Sequence, residues 1–201
     1  MKLSRAFYAR PTLDVARDLI GKVLVHDRRH VRTSGVIVEV EAYIGESDPA
    51  CHAAPGPTRR NAPLYGPPGY AYVYLNYGIH ALANVVTEQK GSPAAVLLRA
   101  LHPIDGIATM RRRRARGAKG RPPQLAAAIP QHALCRGPGN LTVAMGITLA
   151  DNREDLCGDR LFIEDRGVKP GRLVWSERIG ISVGLERDWR VYVEGHAAVS
   201  R

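Results

Sequence analysis

At 201 residues and 22.0 kDa, with 45% hydrophobic and 24% charged residues, the chain carries enough apolar material for one sizeable core and lies outside disordered and fibrous compositions. Its 29 Lys and Arg against 19 Asp and Glu leave a formal charge of +10. The excess is mostly arginine, whose planar fork suits phosphate, although a GC-rich genome produces the same bias. Three cysteines, Cys51, Cys135 and Cys157, form no CxxC pair, which argues against a disulfide framework and a cysteine zinc site. The first residues lack the apolar core of a signal peptide, and no apolar run approaches a membrane span. These features lead us to expect a reduced, cytoplasmic, soluble protein of one domain, residues 1–201.

In chain order, the first element is a short helix over Leu13–Gly21, with Thr12 as its cap and Gly21 as its stop. Lys22 to His26 reads as a strand running into a charged turn at Asp27 to His30. Gly35 to Tyr43 is the clearest strand: Val36, Val38, Val40 and Ala42 form one face, and Ile37, Glu39, Glu41 and Tyr43 the other. From Gly45 to Pro68 the composition is that of a long irregular loop, a length that usually accompanies function. Five of the eight tyrosines fall between Tyr65 and Tyr77, and Tyr70, Tyr72 and Tyr74 alternate with Ala71, Val73 and Leu75. That period of two predicts a strand with the phenols on one face. Asn76-Tyr77-Gly78 is a turn, and His80 to Thr87 is the returning strand of a hairpin.

Ala94 to Leu101 is a further strand, apolar except for Arg99. Thr109 to Arg116 begins as a helix carrying Arg111 to Arg114, and the basic stretch from Arg116 to Pro123 reads as a mobile loop. Short helices are expected at Leu125–Ala128 and, after Gly137-Pro138-Gly139-Asn140, at Leu141–Met145 before Gly146. Strands are expected near Leu161 to Glu164, Arg178 to Val183 and Trp189 to Glu194.

Glu41, on a strand end beside Tyr43 and followed by a long loop, is placed to act as a general base on water, or else is a solvated glutamate on an edge strand. Arg99 needs an anionic partner if buried; Glu41 or Glu39 across the sheet would satisfy it, as a catalytic or a purely structural ion pair. His52 has no companion at metal-ligand spacing. Arg59 and Arg60, and the run containing Arg111 and Arg114, are phosphate-contact candidates, the run being equally readable as a solvated helix face. A P-loop, GxGxxG, HExxH and GxSxG are all absent from the sequence.

Taken in order, these segments resemble one family. They are Gly35 to Gly45, His52, Thr58-Arg59-Arg60-Asn61, Gly69 to Gly78, Val96 to Leu101, Leu134-Cys135-Arg136-Gly137-Pro138 and Arg178-Ile179-Gly180-Ile181. The family is the alkyladenine (3-methyladenine) DNA glycosylases of the mammalian type, which also occur in bacteria. The resemblance runs from about Phe7 to Ser200. It implies an α+β fold, one compact domain around a curved, partly barrel-like antiparallel β-sheet flanked by short helices. It further implies Glu41 as the base that activates water, Arg99 as the partner holding that water and the carboxylate, and Tyr43, His52 and Tyr74 as walls around an extruded base. Asn84 becomes the pocket amide that screens purine substituents, and Tyr77 the wedge left in the duplex. Double-stranded DNA with damaged purines is the implied partner, bound by a monomer with no metal or cofactor at the bacterial nucleoid. Departures from animal members lie at Tyr77-Gly78-Ile79-His80 and in the loop containing Glu88-Gln89-Lys90. The residues alone leave room for a non-catalytic nucleic-acid-binding protein or for a hydrolase of free nucleosides or sugars.

Overall fold

The computed structural model describes residues 1–28, 30–116 and 129–200; the helix expected at Leu125–Ala128 and nearly all of the basic stretch before it lie outside them. Helix α1 (Arg5–Tyr8) is followed by α2 (Thr12–Leu19) and strands β1 (Val23–Arg28) and β2 (Val31–Ile44). Then come β3 (Ala71–Asn76), β4 (His80–Val86), β5 (Ala94–Asp105), α3 (Ile107–Arg116) and α4 (Pro138–Met145). The strands β6 (Leu161–Glu164), β7 (Leu173–Ser176) and β8 (Arg190–Val193) complete the order. All pairings are antiparallel, in the order β3-β4-β5-β2-β1-β6, with β8 joining β2 to β7. The result is an α+β domain built on a curled half-barrel sheet with a few short helices.

Strand β2 organises the sheet. One edge pairs with β5 along its length; the other pairs with β1 up to Val36 and then with β8 at Glu39–Glu41. Between those partners the register with β5 shifts twice: Val38 is skipped between Ile37 and Glu39, and Arg99 is skipped between Leu98 and Ala100. Such bulges bend a strand and re-aim its side chains. Consequently Ile37 and Val38 both enter the main core, whereas Val36 packs with Val23, Val25 and Phe162. The strict alternation expected over Val36 to Tyr43 therefore holds only from Val38 onward. Because β2 is paired on both sides, the edge-strand reading of Glu41 also fails.

The pleat sorts residues between two apolar clusters. Ala71, Val73, Val85 and Val96 face the main core with α2, α3 and α4, while Tyr72, Val86 and Ala95 face a smaller cluster with Cys51, Ala53 and Leu64. The Gly45–Pro68 segment thus covers the second face of the sheet, irregular except for a 3-10 turn at Ala62–Tyr65.

Two local expectations are corrected. Thr12 is not a cap: it lies inside α2, and its hydroxyl donates to Glu88 Oε1 at 2.6 Å, an oxygen that also faces the Thr12 N–H at 3.4 Å. The first turn is served from the β4–β5 connection instead, a partner far away in sequence. Arg178 to Val183 forms no strand; β7 occupies Leu173–Ser176 instead, because the backbone N–H of Ile179 turns to a glutamate side chain rather than to a neighbouring strand. The stop signals fare better. Gly21 and Gly146 have φ of +85° and +74° just past their helices.

Gly69 leads into the tyrosine strand with φ +76°, and a Cβ there would lie 2.6 Å from the Tyr8 ring. Gly69→Ala is expected to cost about 2–4 kcal/mol, combining left-handed strain with overpacking of a buried tyrosine, measured as a lower urea midpoint.

Candidate active site

Past its bulge, β2 directs Glu39, Glu41 and Tyr43 to the face covered by the long loop, and the bulge in β5 directs Arg99 to the same place. Glu41 is fully buried. Its Oε1 accepts from the Ile179 N–H at 2.7 Å and stands 3.1 Å from Arg99 Nη1; its Oε2 accepts from the Tyr43 hydroxyl at 2.8 Å. A carboxylate offers about four acceptor positions, so two hydrogen bonds and one ion pair do not exhaust them. Arg99 continues through Nε to Glu39 Oε1 at 2.9 Å and through Nη2 to Ser200 Oγ at 3.1 Å. Burial alone would lower the Arg99 pKa, but Glu41 and then Glu39 outweigh it, and the guanidinium is held charged.

Glu39 is the second centre of this network. It also takes Arg190 Nε at 2.8 Å, the Ser200 N–H at 2.6 Å and the Ser200 hydroxyl at 2.7 Å. The C-terminal residues thus reach back to the base of the site. Arg178, fully buried, grips Asp48 with bonds of 2.6 and 2.9 Å, donates to the Ala42 carbonyl at 3.1 Å and lies 4.7 Å from the Tyr43 ring centre. That bidentate pair ties the start of the long loop to the Arg178–Gly184 segment.

Above this charged floor lies a cavity of about 410 Å³, within the size range of small-molecule sites. Tyr43, His52, Tyr72, Tyr74, Asn84 and Arg99 line it, with Tyr77 at its mouth. His52 and Tyr74 meet edge-on at 4.4 Å between ring centres, and Tyr72 and Tyr74 lie tilted at 5.2 Å. Tyr43 lines the same cavity and packs against the small cluster that includes Tyr72. Burial pushes the Tyr72 and Tyr74 phenols up to about 12, and pushes Tyr43 further, reinforced by Glu41. Burial, then the Arg60 charge, lowers the His52 pKa. The walls are therefore neutral aromatic rings near neutral pH.

Most residues singled out from the sequence converge here. Asn84 is buried and donates through Nδ2 to the Tyr72 carbonyl at 3.0 Å. Tyr77, at φ +49° beside Gly78 at φ +69°, projects from the hairpin tip with 88% of its surface exposed. Arg59 and Arg60 are exposed near the cavity, Arg60 donating to the Leu75 carbonyl at 3.1 Å. The arginine run is farther off and is not a uniform solvated face. Arg113 and Arg114 turn in to carbonyls at Ala144, Met145, Ala133 and Leu134, and Arg111 is half-buried. Glu41 itself does not line the cavity; it lies directly behind Tyr43, Arg99 and Ile179, which do. Sequence reasoning missed the roles of Arg190, Ser200, Cys51, Leu64 and Ile179 to Ile181. Only the alternation of Tyr72 with Tyr74 offered a signal, placing both phenols on one face.

Among the described residues no three His, Cys, Asp or Glu side chains converge as a metal site requires, and no helix is long and apolar enough to cross a membrane. Removing one partner of a buried charge pair leaves the other unpaired, so Glu39→Gln is expected to destabilise the protein by about 3–5 kcal/mol. Differential scanning calorimetry would show this as a lowered Tm.

Similarity to known proteins agrees with this geometry. The family model described as "Methylpurine-DNA glycosylase" matches residues 6–197. A protein of Alkaliphilus oremlandii named "Putative 3-methyladenine DNA glycosylase" is 44% identical over the whole of both chains. Proteins of the same name from Anaeromyxobacter sp. and Methanocella arvoryzae are 46% and 45% identical, covering 100% and 99% of this chain and 93% and 96% of their own. These matches do not single out the mammalian branch. With a family match over nearly its full length, and with an aromatic cavity set over a buried glutamate–arginine pair, the chain belongs to the methylpurine-DNA glycosylase family.

Proposed function

We propose that this protein removes alkylated purines such as 3-methyladenine, together with deaminated or etheno purines, from double-stranded DNA as a monomer at the nucleoid. The observation that carries the reading is Glu41: a buried carboxylate held by two hydrogen bonds and an arginine ion pair, directly behind an aromatic cavity. A base in a duplex is out of reach of any side chain, so the nucleotide must leave the stack, at a cost of a few kcal/mol that is least for damaged pairs. The cavity receives it. Tyr43 on one side and His52 with Tyr74 on the other provide faces for stacking, worth about 1–3 kcal/mol per base. A cationic alkylated purine gains more against electron-rich phenol rings that stay neutral.

In the chemical step a water oxygen attacks C1′ of the deoxyribose, its proton passes to Glu41, and the C1′–N bond breaks with its electron pair leaving on the purine. Arg99, held between both glutamates, orients Glu41 and the water. An alkylated purine is already a good leaving group, so one carboxylate suffices where ordinary glycosidases use two. An abasic site remains. Asn84, fixed through Tyr72, restricts substituents on the purine edge. Tyr77 fills the vacated stack, as wedge residues do elsewhere. Arg59 and Arg60 near the cavity contact phosphates, and Arg111 and Arg114 extend that contact.

Glu41→Gln is expected to lower single-turnover base release from a 3-methyladenine duplex by about 10²–10⁴-fold, the range of a lost general base, with DNA affinity kept. Release at the wild-type rate would remove Glu41 from the mechanism. Tyr77→Ala, at an exposed position, should leave Tm unchanged while weakening affinity for a lesion-containing duplex about tenfold, the scale of one lost stacking contact; a fluorescence-anisotropy titration reads it.

A further inference from the structure

The hairpin that carries Tyr77 leaves the sheet before it turns. Strand β4 pairs with β5 only from Asn84 to Val86, while its pairing with β3 continues to the tip, where Asn76 faces His80. Between Asn84 and the tip the hairpin is thus a two-stranded ribbon, and such a ribbon is marginal in water unless something packs against it. Its outermost apolar residues, Leu75, Tyr77 and Ile79, are exposed and supply little packing of their own.

Near the tip, contacts from other elements take the place of a neighbouring strand. On the β3 side, Arg60 Nη2 donates to the Leu75 carbonyl at 3.1 Å. On the β4 side, the Thr142 hydroxyl of α4 lies 2.7 Å from the Ala81 carbonyl and 3.0 Å from that of Gly139. Leu75 and Ala81 are partners across the hairpin, so these contacts brace one rung. One residue nearer the tip, His80 rests on Gly139 in the first turn of α4. A Cβ on Gly139 would lie 2.9 Å from His80 Cγ and 3.1 Å from its Cβ.

The backbone does not ask for glycine at position 139. Its φ lies outside the left-handed region, and alanine is the better helix former. What glycine supplies is room. The His80 ring could swing aside from an added methyl group, but its Cβ is fixed to the backbone, so relief there moves the end of β4 and the turn beyond it. Pro138, one residue earlier, lines the cavity. A single helical turn therefore touches both the pocket wall and the hairpin.

We propose that Gly139 and His80 form a seat that fixes the hairpin tip relative to the cavity, and that both act as positioning residues through Tyr77. The action through Tyr77 rests on the wedge reading above; the seat is a property of the free protein. A plug and a pocket that serve one nucleotide must stand at a set separation, and the first turn of α4 is their common frame.

Affinity is read on a duplex carrying one tetrahydrofuran abasic site, and base release on duplex methylated with dimethyl sulfate. Gly139→Ala should weaken affinity about three- to tenfold, at most the loss of one stacking contact. Its release rate at saturating enzyme should stay that of the wild type, the split of a residue that acts on binding and not on the reacting atoms. Added to Tyr77→Ala, it should cause no further loss, because the two act in series. Unchanged affinity in Gly139→Ala would overturn the proposal, as would its full effect persisting in the Tyr77→Ala background. His80→Ala, at an exposed position, should give the same pattern and serves if Gly139→Ala fails to fold. In the DNA-free protein, the amide 1H–15N signals of Gly78 and Ile79 should move in Gly139→Ala; signals left in place would overturn the seat. Wild-type affinity in Tyr77→Ala itself would sink the wedge reading and the action through Tyr77, whereas moved tip signals would leave the seat standing.

Discussion

Arg99 between Glu39 and Glu41 is the contact on which the rest of the site depends. Burying any one of these charges alone would be prohibitive, and burying them together requires close geometry with further donors on the remaining oxygens. The fold supplies those donors from distant places: Arg190 from β8, Ser200 from the last residues, and the Ile179 N–H from an irregular segment. Each must be in place for the cluster to be satisfied, so the charge network and the tertiary arrangement specify one another. Two of the three register shifts between β2 and β5, those on either side of Glu39, have the same origin. They bring Arg99 out of the ladder and onto the carboxylates, at the point where β2 exchanges β1 for β8 as its partner.

The sheet separates stability from chemistry by its pleat. One face is packed with helices and holds most of the apolar core; the other carries the smaller cluster of Cys51, Ala53, Leu64 and Tyr72 and leaves a cavity above it. The long loop closes that second face, anchored by the Arg178–Asp48 pair at its start and by Asn61, whose side chain donates to the His52 and Gly56 carbonyls at 2.7 and 2.8 Å. The Asn61 bond thereby fixes the His52 backbone on an irregular segment. The aromatic cluster divides into pocket wall, with Tyr72 and Tyr74, and exposed hairpin tip, with Tyr77.

The arginine excess has two destinations. Arg59 and Arg60 remain exposed near the cavity, as a protein that meets a polyanion requires. Arg99, Arg113, Arg114, Arg178 and Arg190 point inward instead, onto carboxylates and onto carbonyls left over at helix and turn ends. A net charge of +10 therefore overstates the surface available to DNA, and the distribution matters more than the sum.

What the sequence by itself determined was whatever depends on near neighbours. Period two announced β3 and most of β2; a lone arginine in an apolar strand announced a buried ion pair; Tyr77-Gly78 announced a tight turn; and the ordered motifs identified the family. The tertiary structure alone decided which partners meet. Thr12 looked like a cap until Glu88 was found serving the turn, and Arg178 to Val183 looked like a strand until its backbone turned to Glu41. The face of Ile37 was reversed by a bulge, and the ends of Arg113 and Arg114 were turned inward by carbonyls about 20 to 30 residues away. Local pattern reports the preference of a segment, whereas a buried charge or an unpaired carbonyl is satisfied by whatever the folded chain brings within about 3 Å.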